Sequence, residues 1–328
     1  MIITQTPLRI SFAGGGTDIP NFYREHGGCV LNAAIDKYVY VIVKERFDDL
    51  IYVNYSKKEI VETLDDLHHE LVREAMRLTG VEKGVEITTL ADIPSAGSGL
   101  GSSSTVTVGL LNALYAYQGI NVSAEQLARE ACQIEIQTLK KPIGKQDQYI
   151  AAYGHLRRFT FHPDETVEMT PVPLSEQRCR DLQQNLLLFF TGMTRRAESV
   201  LTKQIENMPR QDCRNALLAM KDQVDQVWEA LQNGSRLDAV GEILHQGWMY
   251  KKTLANAISN PHIDELYDRA RKAGAIGGKV AGAGGGGFLL LYVPLERQEA
   301  VRQALSHLRE LPFAFSRDGS KIIFNVRR

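Results

Sequence analysis

Pro94-Ser95-Ala96-Gly97-Ser98-Gly99-Leu100-Gly101-Ser102-Ser103-Ser104 is the stretch on which the reading of this chain turns. A strand-like run, Val85-Glu86-Ile87-Thr88-Thr89-Leu90, precedes it, and a helix-like run from Thr105 to Gln118 follows. A glycine-rich loop that opens a helix is an anion site. The first-turn amides have no partner within the helix, and the dipole favours negative charge there. Glycines let the backbone approach a phosphate closely, and serine hydroxyls reach phosphate oxygens or a magnesium ion. The pattern points to a nucleotide triphosphate.

Two familiar phosphate loops do not fit. A Walker loop ends in Gly-Lys-Ser/Thr, and no lysine follows Gly101. A dinucleotide loop opens a βαβ unit and needs a downstream acid for the ribose, and Gly97-Ser98-Gly99-Leu100-Gly101 is a poor match placed far into the chain. An ordinary strand-to-helix turn would explain the loop if it stood alone. It does not. Pro7-Leu8-Arg9-Ile10-Ser11-Phe12-Ala13-Gly14-Gly15-Gly16-Thr17-Asp18 stands near the start, and Gly277-Gly278-Lys279-Val280-Ala281-Gly282-Ala283-Gly284-Gly285-Gly286-Gly287-Phe288 near the end.

In this order and spacing the three segments resemble the signature motifs of the GHMP kinases, and the likeness runs from residue 7 to residue 288. A fourth segment, Pro142-Ile143-Gly144-Lys145-Gln146-Asp147-Gln148-Tyr149, is similar to the Gly-x-x-Asp-Gln segment of the family's sugar-1-kinases. Its wording, with Ala13-Gly14-Gly15-Gly16-Thr17-Asp18, is nearest to the branch acting on heptose 7-phosphates, and the fucokinases share much of it. The resemblance implies an α+β GHMP kinase fold in two domains. Residues 1–170 would form an ATP-binding domain with a left-handed βαβ-type unit. Residues 171–328 would form a ferredoxin-like α/β sandwich.

Composition agrees with an ordinary globular protein. At 328 residues two domains are the natural expectation, and 44% hydrophobic and 23% charged residues are unremarkable fractions. The net charge of −1 gives no field to attract nucleic acid or an anionic membrane. Cys29, Cys132, Cys179 and Cys213 are scattered with no CxxC, which favours reduced thiols in a cytosol over structural zinc. No leader is expected from Met1-Ile2-Ile3-Thr4-Gln5-Thr6, and no apolar run approaches the ~18 residues of a membrane span. A cytoplasmic location follows as an expectation, with a homodimer left open.

Patterning places strands at 1–13, 29–47, 51–55, 85–90, 186–191 and 321–326, and a strand–glycine turn–strand over 277–293. Helical spacing covers 65–79, 103–118, 123–139, 194–232, 236–257, 263–273 and 296–308. Helix 103–118 is apolar nearly all round and should be buried. Pro163, Pro171 and Pro173 suggest a boundary near 160–185.

Phosphoryl transfer needs positioning, charge neutralisation and a group near the accepting hydroxyl. The resemblance implies ATP and Mg2+, with Pro94 and Gly97, Ser98, Gly99, Leu100, Gly101, Ser102, Ser103 and Ser104 cradling the triphosphate. It makes Ser103 and Glu135, which lies twelve positions before Asp147, the metal ligands. Asp147 becomes the base that accepts the hydroxyl proton. Arg9 would pair with Asp147 and stabilise the transferring phosphoryl. Gly16, Thr17 and Asp18 would meet sugar hydroxyls, while Lys279, Gly284 and Gly285 close from the second domain. Ala281 replaces the family's usual threonine. An acceptor that already carries a phosphate needs further cations. Arg195 and Arg196 are the first choice, with Lys145 or Lys251 and Lys252 behind them. A sugar-and-ATP sensor and an NAD-dependent oxidoreductase are the rivals outside the class. Against the sensor, Asp147, Ser103 and Glu135 are all present.

Overall fold

The computed structural model describes residues 1–93, 97–195, 197–232 and 236–326. In chain order the first elements are β1 (Ile2–Ala13), α1 (Pro20–His26), β2 (Gly28–Glu45), β3 (Ile51–Asn54), β4 (Lys58–Val61), α2 (Glu70–Thr79) and β5 (Val85–Ala91). Then come α3 (Ser102–Gln118), α4 (Ala124–Cys132), α5 (Gln146–Tyr153), β6 (Leu156–Phe161) and β7 (Val167–Pro171). The remaining helices are α6 (Glu176–Gln184), α7 (Ala197–Asn207), α8 (Gln211–Gln232), α9 (Asp238–Leu254), α10 (Pro261–Ala273) and α11 (Gln298–Ala304). The remaining strands are β8 (Leu186–Phe190), β9 (Gly277–Val280), β10 (Phe288–Tyr292), β11 (Arg309–Glu310) and β12 (Lys321–Asn325).

The first sheet runs β12-β1-β2-β5-β3-β4, and β6 pairs with β2 and with β7. Strand β2 is long enough to serve two partners. Its Gly28–Ala33 half pairs with β6 and its Val39–Glu45 half with β5. β3 and β5 are parallel, with α2 in the crossover between them. The second sheet is antiparallel in the order β11-β8-β10-β9. Numbered along the chain that order is 4-1-3-2, with helices inserted as β-α-β-β-α-β, the ferredoxin-like arrangement. The class is α+β, as the mixed sequence pattern implied.

The first sheet is not closed by the first half of the chain. β12 returns to pair with the edge of β1, with Ile2 opposite Asn325. Helices α8 and α9 pack on one another; α8 also packs against β1 and β2, and α9 against β9 and β10. A continuous core therefore joins Leu8, Ile10 and Val41 of the first sheet to Val224, Leu244 and Leu290. This joint holds the two sheets in register around whatever lies between them. Among the described residues, no helix is long and apolar enough to cross a membrane.

Local rules place the chemistry. In β1, Leu8, Ile10 and Phe12 are buried in the core, and alternation turns Arg9 and Ser11 to the opposite face. Helix α3 is buried almost throughout, on β1 and β2. Helix α4 ends at Cys132 and continues as a π-helical turn over 133–138. The expected helix 123–139 is thus two geometries, and Glu135 lies in the wider one. Helix 65–79 begins only at Glu70, after a short 3-10 turn. The span 194–232 is two helices, α7 and α8, and the region 146–153, left without a helix by the sequence reading, forms α5.

Candidate active site

Three glycine-bearing segments and α5 converge on one cavity of about 490 Å³. The loop before α3 contributes Gly97, Ser98, Gly99, Gly101, Ser102, Ser103 and Ser104 to its wall. Gly101 caps α3 without any side-chain hydrogen bond, so no side chain competes with an anion for the first-turn amides. Gly99 is where the loop needs glycine most. Its φ is +77°, and a Cβ there would stand 2.4 Å from the Ala281 carbonyl oxygen. The second and third glycine segments thus meet backbone to backbone.

Arg9 and Asp147 form a bidentate pair across the cavity floor. Arg9 Nε donates to Asp147 Oδ1 at 2.7 Å and Nη2 to Oδ2 at 2.8 Å. Arg9 Nη1 donates to the Gly99 carbonyl at 2.5 Å, which ties the pair to the loop. Both line the cavity, and with the Arg9 side chain 5% exposed and that of Asp147 24%, the carboxylate is the more open member. Asp147 occupies the first turn of α5, where a negative charge is favoured.

Asp18 is buried beside this pair. It accepts from Gly16 N, Gln146 N and Gln146 Nε2, each at 3.0 Å. Burial pushes its carboxyl up from the usual range, against the backbone hydrogen bonds, and the charge of Asp147 adds to the rise. Gly144 makes the approach possible, since a Cβ there would stand 2.0 Å from Asp18 Oδ2. Gly144→Ala should therefore push Asp18 out of place. The expected result is at least a tenfold rise in acceptor KM with ATP KM little changed, measured by steady-state kinetics; equal KM values would show that Asp18 does not touch the acceptor.

Glu135 is fully buried at the other wall. Its Oε2 accepts from Ser103 Oγ and Ser104 Oγ, both at 3.3 Å, and its Oε1 from Gln148 Nε2 at 3.1 Å. Burial raises its carboxyl above the ordinary value, and the charge of Lys141 works in the other direction. Lys141 itself pairs with Glu70 at 2.7 Å, and both line the cavity. A carboxyl raised in the folded state opposes folding once it ionises. That cost sets in as pH rises through the unfolded value of about 4.3 and is complete above the folded value. Glu135→Gln should therefore raise Tm at pH 8 in chelator by on the order of 1–3 °C. A lowered Tm, read by thermal melting, would show that the hydrogen bonds outweigh the buried charge.

Several expected site residues are placed elsewhere. Thr17 donates its hydroxyl to the Gly14 and Cys29 carbonyls and does not line the cavity, so it holds the first glycine turn rather than a sugar. Lys145 turns away to Glu165, at 2.6 Å, and lies over the Tyr23 ring. Leu100 is a core residue whose carbonyl accepts from Arg9 N at 3.1 Å. Gly285 packs behind the wall that Gly284 and Gly286 form. Lys252 pairs with Asp264 at 3.2 Å. Gly16, Asp18, Arg195, Lys251, Lys279, Ala281 and Gly284 line the cavity. Pro94 and Arg196 lie outside the described residues. Sequence reasoning missed Ser11, Gln146 and the α7 face of Glu198, Leu201 and Gln204. Gln146 stood inside the quoted motif, and the α7 residues follow a helical spacing that carried no motif.

Similar proteins fix the family. The N-terminal domain model of the GHMP kinases matches residues 55–155 and the C-terminal one residues 227–310, together more than half the chain. This chain belongs to the GHMP kinase family. A D-glycero-alpha-D-manno-heptose 7-phosphate kinase of Campylobacter jejuni is 29% identical over 98% of this chain and 98% of its own. The bifunctional fucokinase/GDP-fucose pyrophosphorylase of Arabidopsis thaliana is 29% identical over 93% of this chain, which spans 31% of that protein. A solved D-glycero-D-manno-heptose 1-phosphate kinase of Bacteroides thetaiotaomicron superposes with a TM-score of 0.83 at 28% identity, covering all of both chains. As a GHMP kinase the protein is a phosphotransferase with an alcohol acceptor, and the oxidoreductase reading falls.

Proposed function

We propose that this GHMP kinase transfers the γ-phosphoryl of ATP to the anomeric hydroxyl of D-glycero-D-manno-heptose 7-phosphate, giving the 1,7-bisphosphate for nucleotide-activated heptose synthesis in the cytoplasm. The Arg9–Asp147 pair beside Asp18, facing the loop 97–104, carries the reading. Asp147 accepts the anomeric proton as the sugar oxygen bonds to the γ-phosphorus, and the bond to the bridging oxygen breaks to release ADP. Arg9 fixes the carboxylate in place, and its remaining N–H groups face developing charge on the phosphoryl. Asp18 accepts from sugar hydroxyls and orients the ring. Residues 1–170 supply nucleotide contacts and base, and residues 171–328 the glycine segment that closes over them.

Ser103 and Glu135 fit a magnesium ion by their chemistry. A fully buried carboxylate with hydroxyls converging on it offers hard oxygen ligands and gains from a cation. The ion would neutralise triphosphate charge. Ser103→Ala should raise the magnesium needed for half-maximal turnover, and an unchanged requirement removes the assignment.

The similarity to a fucokinase supports one alternative, a free sugar as acceptor. ATP consumption measured against free and phosphorylated hexoses and heptoses separates the two. Preference for fucose or galactose over heptose 7-phosphate would overturn the heptose reading.

A further inference from the structure

Lys251 of α9 and Lys279 of β9 reach the same cavity from the second half of the chain. Both are buried, at 5% and 6% exposure, whereas Arg195 is exposed. An ammonium has three donors. Lys251 Nζ donates to the Gly282 carbonyl, and among the described residues Lys279 Nζ reaches only Ser11 Oγ, at 3.5 Å. Among the described residues neither forms an ion pair. The nearby carboxylates are engaged: Asp147 with Arg9, and Asp18 with three N–H groups. Two buried cations without a counter-ion are costly. A phosphate monoester carries a charge of about −1.5 to −2 at pH 7, which matches what they lack.

A third group points the same way. Gln204 of α7 is 2% exposed and lines the cavity, and among the described residues its Nε2 has no hydrogen-bond partner. That amide lies close to Gly16, since a Cβ on Gly16 would stand 2.6 Å from it. Lys279 also reaches Ser11, whose Oγ lies 3.7 Å from where a Cβ on Gly15 would stand, beside the Gln146 amide that donates to Asp18, and this sets Lys279 close to the acceptor groups of the cavity.

We infer that Lys251, Lys279 and Gln204 form the subsite for the phosphate that the acceptor already carries. The inference rests on the sugar-phosphate reading above and replaces Arg195 and Arg196 as its phosphate contacts. Burial holds the Lys251 ammonium down to about 8, and that of Lys279 well below its ordinary value, a strain that a bound dianion relieves. Charge-assisted contacts from enclosed lysines favour a phosphorylated over a free sugar.

The test uses the full chain with Lys251→Met, Lys279→Met and Gln204→Leu, checked for folding by thermal melting. Methionine, one heavy atom shorter than lysine, keeps most of its apolar stem and removes the charge with its three donors. Each lysine variant should lose roughly 10- to 100-fold in kcat/KM for heptose 7-phosphate, with free heptose and ATP KM changed less than about threefold. Equal losses for both sugars would overturn the inference and give the lysines to the transferring phosphoryl; no loss would overturn it outright. A wild-type preference for free sugars would sink the parent reading instead. Inorganic phosphate, titrated calorimetrically into protein saturated with a non-hydrolysable ATP analogue, then decides the subsite. Binding lost in Lys279→Met supports it, and binding unaffected by all three variants refutes it.

Discussion

Asp147→Asn is expected to cut turnover by roughly 10²–10⁴-fold, the usual contribution of a general base. The substitution keeps the shape of the side chain and its place in the first turn of α5. It removes the proton acceptor and one half of a bidentate ion pair. Binding of ATP and sugar should survive, because the hydrogen bond from Arg9 to the Gly99 carbonyl and the three N–H groups that hold Asp18 do not involve the Asp147 side chain. The loss must therefore appear in kcat with both KM values nearly constant, the pattern of an interaction made only in the transition state. A single-turnover measurement guards against a hidden release step. A fall of less than about threefold with chemistry rate-limiting would reject the base role and leave Asp147 as a positioning partner for Arg9.

The parts of this site that could be read from sequence are those governed by backbone. Gly99 and its neighbours announce a close approach because no other residue tolerates it, and the approach proves to be to Ala281. The alternation in β1 that turns Arg9 and Ser11 to one face is likewise a local property. Side-chain direction near a helix start was not legible. Lys145 sits two positions before Asp147, yet it points away to Glu165 while Asp147 faces Arg9. Lys251 and Lys252 looked equivalent as a basic pair. Helix geometry sends one into the cavity and the other to Asp264. Nor could the sequence show that residues 321–325 return to β1, because strand pairing across the whole chain leaves no local mark. The π-helical turn at Glu135 was hidden for a related reason, since its periodicity differs from that of α4 over too few residues to register.

Arg9→Met should destabilise the fold as well as stop the reaction. Arg9 is the only residue that hydrogen-bonds both Asp147 and the Gly99 carbonyl among the described residues, so it ties α5 to the phosphate loop. Breaking a buried ion pair by removing one partner costs about 3–5 kcal/mol. Asp147 keeps partial access to water, which places the expectation near the low end, about 3 kcal/mol. The asymmetry of unmet partners makes a sharper test possible. In Arg9→Met the carboxylate of Asp147 loses its counter-charge and two donors. In Arg9→Met/Asp147→Asn no unpaired charge remains, so the double variant should lose less stability than the two single losses added together. A coupling of at least about 1 kcal/mol is expected for groups in direct contact, read from denaturant midpoints at unchanged slope. Additive losses would mean that Arg9 stabilises the protein through Gly99 and the loop alone. Turnover supplies the second readout. Because Arg9 also faces the transferring phosphoryl in the proposed reaction, the double variant should be slower than Asp147→Asn. A double variant scarcely slower than Asp147→Asn would mean that the two residues act as one unit and that Arg9 makes no separate contact with the phosphoryl.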